Sequence, residues 1–233
     1  MSDSRHVVVR SIDRAGPATI AGLGEAGVAT AHEAAGRIGL LDPGLRPIQD
    51  GSRVAGSAIT VLCQAGDNMM IHAAVEVVGE NDVLVVTTTA PSTDGMFGEL
   101  LATSLRTRGC AGLVIDAGVR DVAALREMGF PVWARAIHAQ GTVKETPGAV
   151  NVPITIRGTR ITPGDVVIAD DDGVMIVPRD SARTVLDACA DRETREDDTR
   201  RRLATGELGL DMYGLREKLD GLGVRWVDGP DEA

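Results

Sequence analysis

Between Val83 and Ile137 the chain switches repeatedly between two periodicities. VLVVTTT (83–89) is a continuous strand-like run, β-branched except at Leu84, GELLATSLRTRG (98–109) has helical spacing and stops on glycine, and GLVID (112–116) is apolar again. DVAALREMG (121–129) repeats the helical pattern with a terminal glycine, and PVWARAI (131–137) closes with another strand. Short helices between continuous apolar strands predict βαβ units with buried parallel strands. The handedness of such crossovers places successive strands in one sheet. The expected class is α/β.

The flanks add to this core. GVATAHEAAG (27–36) predicts a short helix stopped by Gly36, and a Pro/Gly loop spans residues 42–50. SRVAGSAITVLC (52–63) alternates as a strand does. In the next segment Asp67 or Asn68 is a plausible N-cap, with Met70, Ala73, Ala74, Val77 and Val78 along one helical stripe. From Asn151 to Pro178 short strands separated by Gly, Pro and Asp turns predict an antiparallel or mixed β section. Residues 180–203 predict a highly charged helix and 211–220 a shorter one, and the final GPDEA reads as a frayed end. No fixed-period repeat or low-complexity linker is present. The economical division is one domain over residues 1–178 and a C-terminal helical arm over 179–233.

The length of 233 residues allows one substantial core, and 43% apolar content argues for a globular chain. The longest apolar runs are far too short to cross a bilayer, and MSDSRHVVVR lacks the apolar core of a signal peptide. A cytoplasmic address is the default expectation. Cys63, Cys110 and Cys189 are scattered, without a C-x-x-C pair, and read as small core residues in a reducing compartment. A formal charge of −10 with 2% aromatic residues offers neither the basic stripe nor the stacking rings that nucleic-acid binding needs.

In a parallel sheet, ligands collect where loops leave the carboxyl ends of strands. Two such loops, APSTDGMFGE (90–99) and DAGVRD (116–121), would face one crevice if their strands are neighbours. The helix beginning at Gly98 then offers free amides near Glu99, Leu100 and Leu101 to a carboxylate. Arg120 can give a two-pronged contact to the same carboxylate or to a keto oxygen. Asp121 can hold a hard divalent cation, since magnesium needs only one or two protein carboxylates. Plainer readings stand beside these. Asp121 opens a helix and can be an N-cap. Arg120 can pair with Asp116 or Asp121, and Gly95 and Gly98 can serve the turn alone. His72 can be a partly buried, satisfied core histidine, Glu33 solvated, and Glu193, Glu196 and Asp197 part of a solvated helix face. His6 and His138 show no partner in sequence. The two lysines, Lys144 in GTVKETPG and Lys218 on the terminal helix, lie outside the desolvated setting a Schiff-base lysine requires. Carbonyl chemistry here would therefore rely on a metal.

GELLATSLRTRGCAGLVIDAGVRDV, followed by GDVVIADDDGVMIVP, resembles the metal-dependent pyruvate aldolases that cleave 4-hydroxy-4-methyl-2-oxoglutarate and 4-carboxy-4-hydroxy-2-oxoadipate. These share a fold with RraA, the protein regulator of ribonuclease E, and the resemblance runs from about Ala18 through Pro178. It implies a layered αββα sandwich with a central βαβ-built sheet. Three details favour the aldolase branch over the regulators: the extension beyond GVMIVP, the stretch from Pro47 to Val86, and the placing of His72 and Glu33. In the aldolases a His and a Glu at these places form a hydrogen-bond network behind the catalytic arginine.

Carried over by motif, the amides of Gly98, Glu99, Leu100 and Leu101 bind the pyruvyl carboxylate, Arg120 contacts the keto acid, and Asp121 anchors Mg²⁺ or Mn²⁺. An acid from a neighbouring subunit's C-terminal helix approaches the metal's water shell, with Glu196 the first choice and Glu193 the second. The resemblance implies a homotrimer or homohexamer, a small 4-hydroxy-2-keto acid substrate, and retro-aldol cleavage to pyruvate and oxaloacetate (or to two pyruvates) with slow oxaloacetate decarboxylation. Two other readings remain at this point: a non-catalytic regulator that binds another protein, and a dedicated oxaloacetate decarboxylase.

Overall fold

The physical reason for the unbroken apolar runs is burial on both faces. A computed structural model describes residues 6–229. In chain order it contains β1 (Val7–Val8), α1 (Pro17–Ala34), β2 (Arg46–Pro47), β3 (Val54–Cys63) and α2 (Met69–Ala74). Next come β4 (Asp82–Thr88), β5 (Gly95–Phe97), α3 (Glu99–Thr107), β6 (Gly112–Val119), α4 (Val122–Met128) and β7 (Val132–Ile137). The strands β8 (Ala149–Val150), β9 (Ile154–Ile156), β10 (Thr159–Ile161), β11 (Val166–Asp170) and β12 (Gly173–Val177) follow. Helices α5 (Ala182–Ala204), α6 (Gly209–Met212) and α7 (Leu215–Gly221) end the described chain.

The main sheet runs β1-β8-β3-β4-β6-β7-β2, with β3, β4, β6 and β7 mutually parallel. Strand side chains alternate between faces. Accordingly Leu84 and Val86 of β4 join one core with Ile71, Leu101, Leu105 and Leu125 from α2, α3 and α4. Val83 and Val85 join another with Trp133, Val167, Val174 and Ile176. β11 pairs antiparallel with both β12 and β3, which folds a second β layer over the parallel one. The far face of that layer, Val166, Ile168, Met175 and Val177, is covered by Leu23, Val28 and Ala31 of α1 and by Ala182 and Val185 of α5. The order helix, sheet, sheet, helix is the expected αββα sandwich.

Several local expectations are corrected. α1 begins ten residues earlier than GVATAHEAAG suggests, at Pro17, and is interrupted at Gly27 (φ 80°, ψ 168°). Asp170 Oδ2 accepts the Val28 amide at 2.8 Å, capping the second half from outside the helix. α2 is one turn and a half, so Val77 and Val78 lie beyond it. β6 does not stop at Asp116 but continues to Val119 through an irregular register between Ile115 and Gly118. The terminal helix is two, α6 and α7, separated at Gly214 (φ 62°). Most of the segment expected to fray, residues 229–233, lies outside the described residues.

By its contacts the chain forms two compact units, Met1–Ala190 and Asp191–Ala233, with the division inside α5. No helix among the described residues is long and apolar enough to cross a membrane.

Candidate active site

β4 and β6 are adjacent and parallel, so the loops leaving them do share a crevice. β4 pairs with β6 only as far as Val86 opposite Ile115. Beyond that point β5 takes the place beside β6, with Gly95 opposite Gly118 and Phe97 opposite Val119. This short strand was not foreseen; it lies inside the polar loop APSTDGMFGE. Its effect is to bring the start of α3 against Arg120, whose amide donates to Phe97 O at 2.8 Å.

The approach leaves no room for a side chain at residue 98 unless Asp121 moves. A Cβ on Gly98 would lie 2.3 Å from Asp121 Oδ2 and 3.1 Å from Arg120 Cγ. Asp121 itself has a left-handed backbone (φ 56°, ψ 34°) and makes no side-chain cap bond to α4. The N-cap explanation therefore fails. Its carboxylate instead accepts the Glu99 amide at 3.2 Å and stands 3.8 Å from Arg120 Nε. Holding a non-glycine residue in this conformation costs on the order of 1 kcal/mol or more. The amides of Leu100 and Leu101, in the first turn of α3, have no intrahelical acceptor.

Around these groups is a cleft of about 150 Å³, lined by Gly98, Leu100, Leu101, Arg120 and Asp121 from the two loops and by Asn68, His72, Met96, Phe97 and Lys144. His72 is exposed rather than packed in the core. Desolvation by the cleft wall, and secondarily the Lys144 charge, hold its imidazole below the ordinary histidine value. Asn68 is 7% exposed, donates from Nδ2 to Met96 O at 2.9 Å, and keeps a buried Oδ1 without a partner among the described residues. A larger groove of about 320 Å³, walled by Ile38, Met175, Val177 and Val185, is nearly all apolar. The reactive groups are in the smaller, polar cleft.

Other candidates lie elsewhere. Asp116 does not pair with Arg120; it bonds Arg135 at 2.8 Å and stands 3.4 Å from Arg157. Glu33, at the end of α1, pairs with Arg37 at 3.0 Å and is not part of the cleft lining in the single chain. Glu196 belongs to the second compact unit and pairs with Arg192 at 2.7 Å. Asp197, also there, pairs with Arg200. Asn68 and Lys144 are cleft residues that sequence reasoning missed. Lys144 lies 24 positions from Arg120 in a loop with no periodic pattern.

Among the described residues no three His, Cys, Asp or Glu side chains converge as a metal cluster. What the cleft does offer is one carboxylate not spent on its own helix α4 and half exposed, at 47%. That donor set fits a hard divalent cation retaining most of its waters, and does not fit a closed structural site.

Comparison with known proteins agrees with the sandwich. Residues 20–176 match the RraA-like family described as Aldolase/RraA. A Burkholderia multivorans protein provisionally named 4-hydroxy-4-methyl-2-oxoglutarate aldolase is 42% identical over 149 residues, covering 63% of this chain and 90% of the relative. A Halalkalibacterium halodurans protein with the same provisional name is 28% identical over 169 residues, 72% of this chain and 80% of the relative. Among solved structures, Streptomyces coelicolor RraAS2, described as an unusual member of the RNase ES inhibitor RraA family, superimposes with a TM-score of 0.72. It is 31% identical, over 81% of this chain and all of that one.

Proposed function

Since the chain belongs to the RraA-like Aldolase/RraA family, we propose that its polar cleft is the active site of a divalent-metal-dependent aldolase. The substrate is 4-carboxy-4-hydroxy-2-oxoadipate, cleaved to pyruvate and oxaloacetate, or 4-hydroxy-4-methyl-2-oxoglutarate, cleaved to two pyruvates. The observation that carries this reading is the Asp121 carboxylate, which does not cap its own helix α4 and instead stands beside Arg120 at the start of α3, where it accepts the Glu99 amide. A plain helix start would spend that carboxylate on its own N–H groups.

Of the four amides expected to hold the substrate's C1 carboxylate, that of Glu99 is already donated to Asp121; those of Gly98, Leu100 and Leu101, at the positive end of α3, take this role. Arg120 faces the 2-keto oxygen, where negative charge accumulates as the C3–C4 bond breaks, and stabilises it most at that moment. When bound at Asp121, Mg²⁺ or Mn²⁺ supplies Lewis acidity at the same oxygen. An imidazole held mainly neutral, as His72 is, accepts and returns a proton through water near neutral pH. It is thereby suited to delivering one to the pyruvate carbon. Oxaloacetate loses CO₂ slowly in the same cleft, because that loss generates the same enolate charge.

The remaining roles rest on the family resemblance: Glu33 supports the His72 network, and Glu196 of a neighbouring copy's arm approaches the metal's water shell in a trimer or hexamer. The likeness to RraAS2 also favours a second reading, a protein-binding regulator without turnover. Pyruvate release measured with and without EDTA separates the two. Arg120→Ala should lower kcat/KM by about a hundredfold or more, as loss of a transition-state donor does. Asp121→Ala should abolish the metal requirement together with activity. Turnover that survives EDTA, or an active Asp121→Ala protein, overturns the aldolase assignment.

A further inference from the structure

We propose that Lys144 determines substrate specificity by receiving the remote carboxylate of a 2-keto acid whose C1 end is bound at α3. The proposal deepens the aldolase reading and rests on it.

The loop bearing Lys144 lacks regular structure, yet it is fastened on both sides of that residue. Gly95 N donates to Gln140 O at 2.8 Å, Val143 N to Gly66 O at 3.0 Å, and Asn68 N to Val143 O at 3.1 Å. Beyond Lys144, Asp67 Oδ2 accepts the amides of Glu145 at 2.8 Å and Thr146 at 2.7 Å. Asp67 is 2% exposed, and its other oxygen accepts Met69 N at 2.8 Å. The backbone of a single lysine is thus held by bonds to Gly66–Asn68, the turn that also places Asn68 and leads into the helix of His72.

The ammonium at the end of this fixed backbone forms no hydrogen bond or ion pair with the described residues, although it lines the cleft. A lysine immobilised for solubility would need neither the pinned loop nor the cleft. With a divalent ion in place, the cleft sets one carboxylate, Asp121, against that ion, Arg120, Lys144 and the positive end of α3. Pyruvate, with a single carboxylate, neutralises only the inner part of this field. A substrate with further carboxylates beyond C4 neutralises the part that Lys144 supplies. Asp67 is a positioning residue that acts through Lys144.

The test compares Lys144→Met and Lys144→Arg with the unsubstituted holoenzyme in two assays: exchange of pyruvate methyl protons, which involves no remote carboxylate, and cleavage of 4-carboxy-4-hydroxy-2-oxoadipate. Lys144→Met should raise KM for cleavage at least about tenfold, the size of one charge-assisted hydrogen bond. It should do so well beyond any change in the exchange reaction, with kcat retained. The increase should be smaller for 4-hydroxy-4-methyl-2-oxoglutarate, which has one carboxylate fewer, and Lys144→Arg should restore most of the affinity. Asp67→Asn should raise KM similarly and add little in the Lys144→Met background. An unmoved KM, or exchange and cleavage impaired to the same degree, overturns the Lys144 assignment alone. Unsubstituted protein that neither exchanges nor cleaves overturns the aldolase reading with it.

Discussion

Gly98 and Asp121 share one small volume, and each is intelligible only through the other. A methyl group at position 98 would meet the Asp121 carboxylate at 2.3 Å, far inside van der Waals contact. Gly98→Ala should therefore displace the carboxylate without touching the core, since residue 98 precedes α3 and leaves its buried face intact. Mn²⁺ affinity, followed by calorimetry, should fall about 10–100-fold, as when support around a metal ligand is lost, with the melting temperature little changed. Unaltered Mn²⁺ binding would separate Asp121 from the metal. The pair Arg120–Asp121 and the open start of α3 were legible in the sequence because they adjoin one another at strand ends. The left-handed backbone of Asp121 was not, because aspartate before a helix is far more often an ordinary cap than left-handed, and only the tertiary approach of Gly98 distinguishes them. Lys144 was hidden for a different reason. Its place in the cleft depends on bonds from Asp67 across 78 and 79 positions of chain.

Among elements, the parallel strands were the easiest to foresee. β4 is buried on both faces, and an uninterrupted apolar run satisfies both cores. α2 was overextended because Val77 and Val78 continue the helical spacing after the helix has ended, and β5 was missed because three residues carry no periodicity. The loop of residues 140–147 has no pattern at all; its order comes from Asp67. Burial alone would raise that carboxyl's pKa, but the amides of Met69, Glu145 and Thr146 outweigh burial and hold it below 3.8. Its stabilising contribution is therefore complete above pH about 4 and is lost as pH falls through the lower folded-state value. Asp67→Asn should destabilise the protein by about 1–3 kcal/mol at pH 7. In urea unfolding the gap between the two proteins should narrow towards pH 2. A gap that stays constant with pH would show that the charge of Asp67 is not what fastens the loop.

At the scale of the whole molecule, the second unit, Asp191–Ala233, has little interior of its own. α6 and α7 bury no residue, and Leu208, Tyr213, Leu222 and Trp226 are each more than half exposed. The arm was proposed above to contact neighbouring subunits, and these side chains are the apolar groups it would bring to them. A chain ending at Ala190 should keep its fold, because the cores described above draw on no residue beyond Cys189. By sedimentation it should be smaller than the full chain's assembly, proposed above to be a trimer or hexamer. Persistence of the full-length assembly would remove the arm from the interface.

The handover from β4 to β5 alongside β6 has a bearing on how such a protein can diverge. The guanidinium and the carboxylate follow one strand, while the amides beside them begin where another, paired to it through an irregular register, leaves off. Drift at Gly95 or Phe97 is felt at Gly118 and Val119 straight away, so descendants of this chain must alter the two stretches in concert or leave both alone.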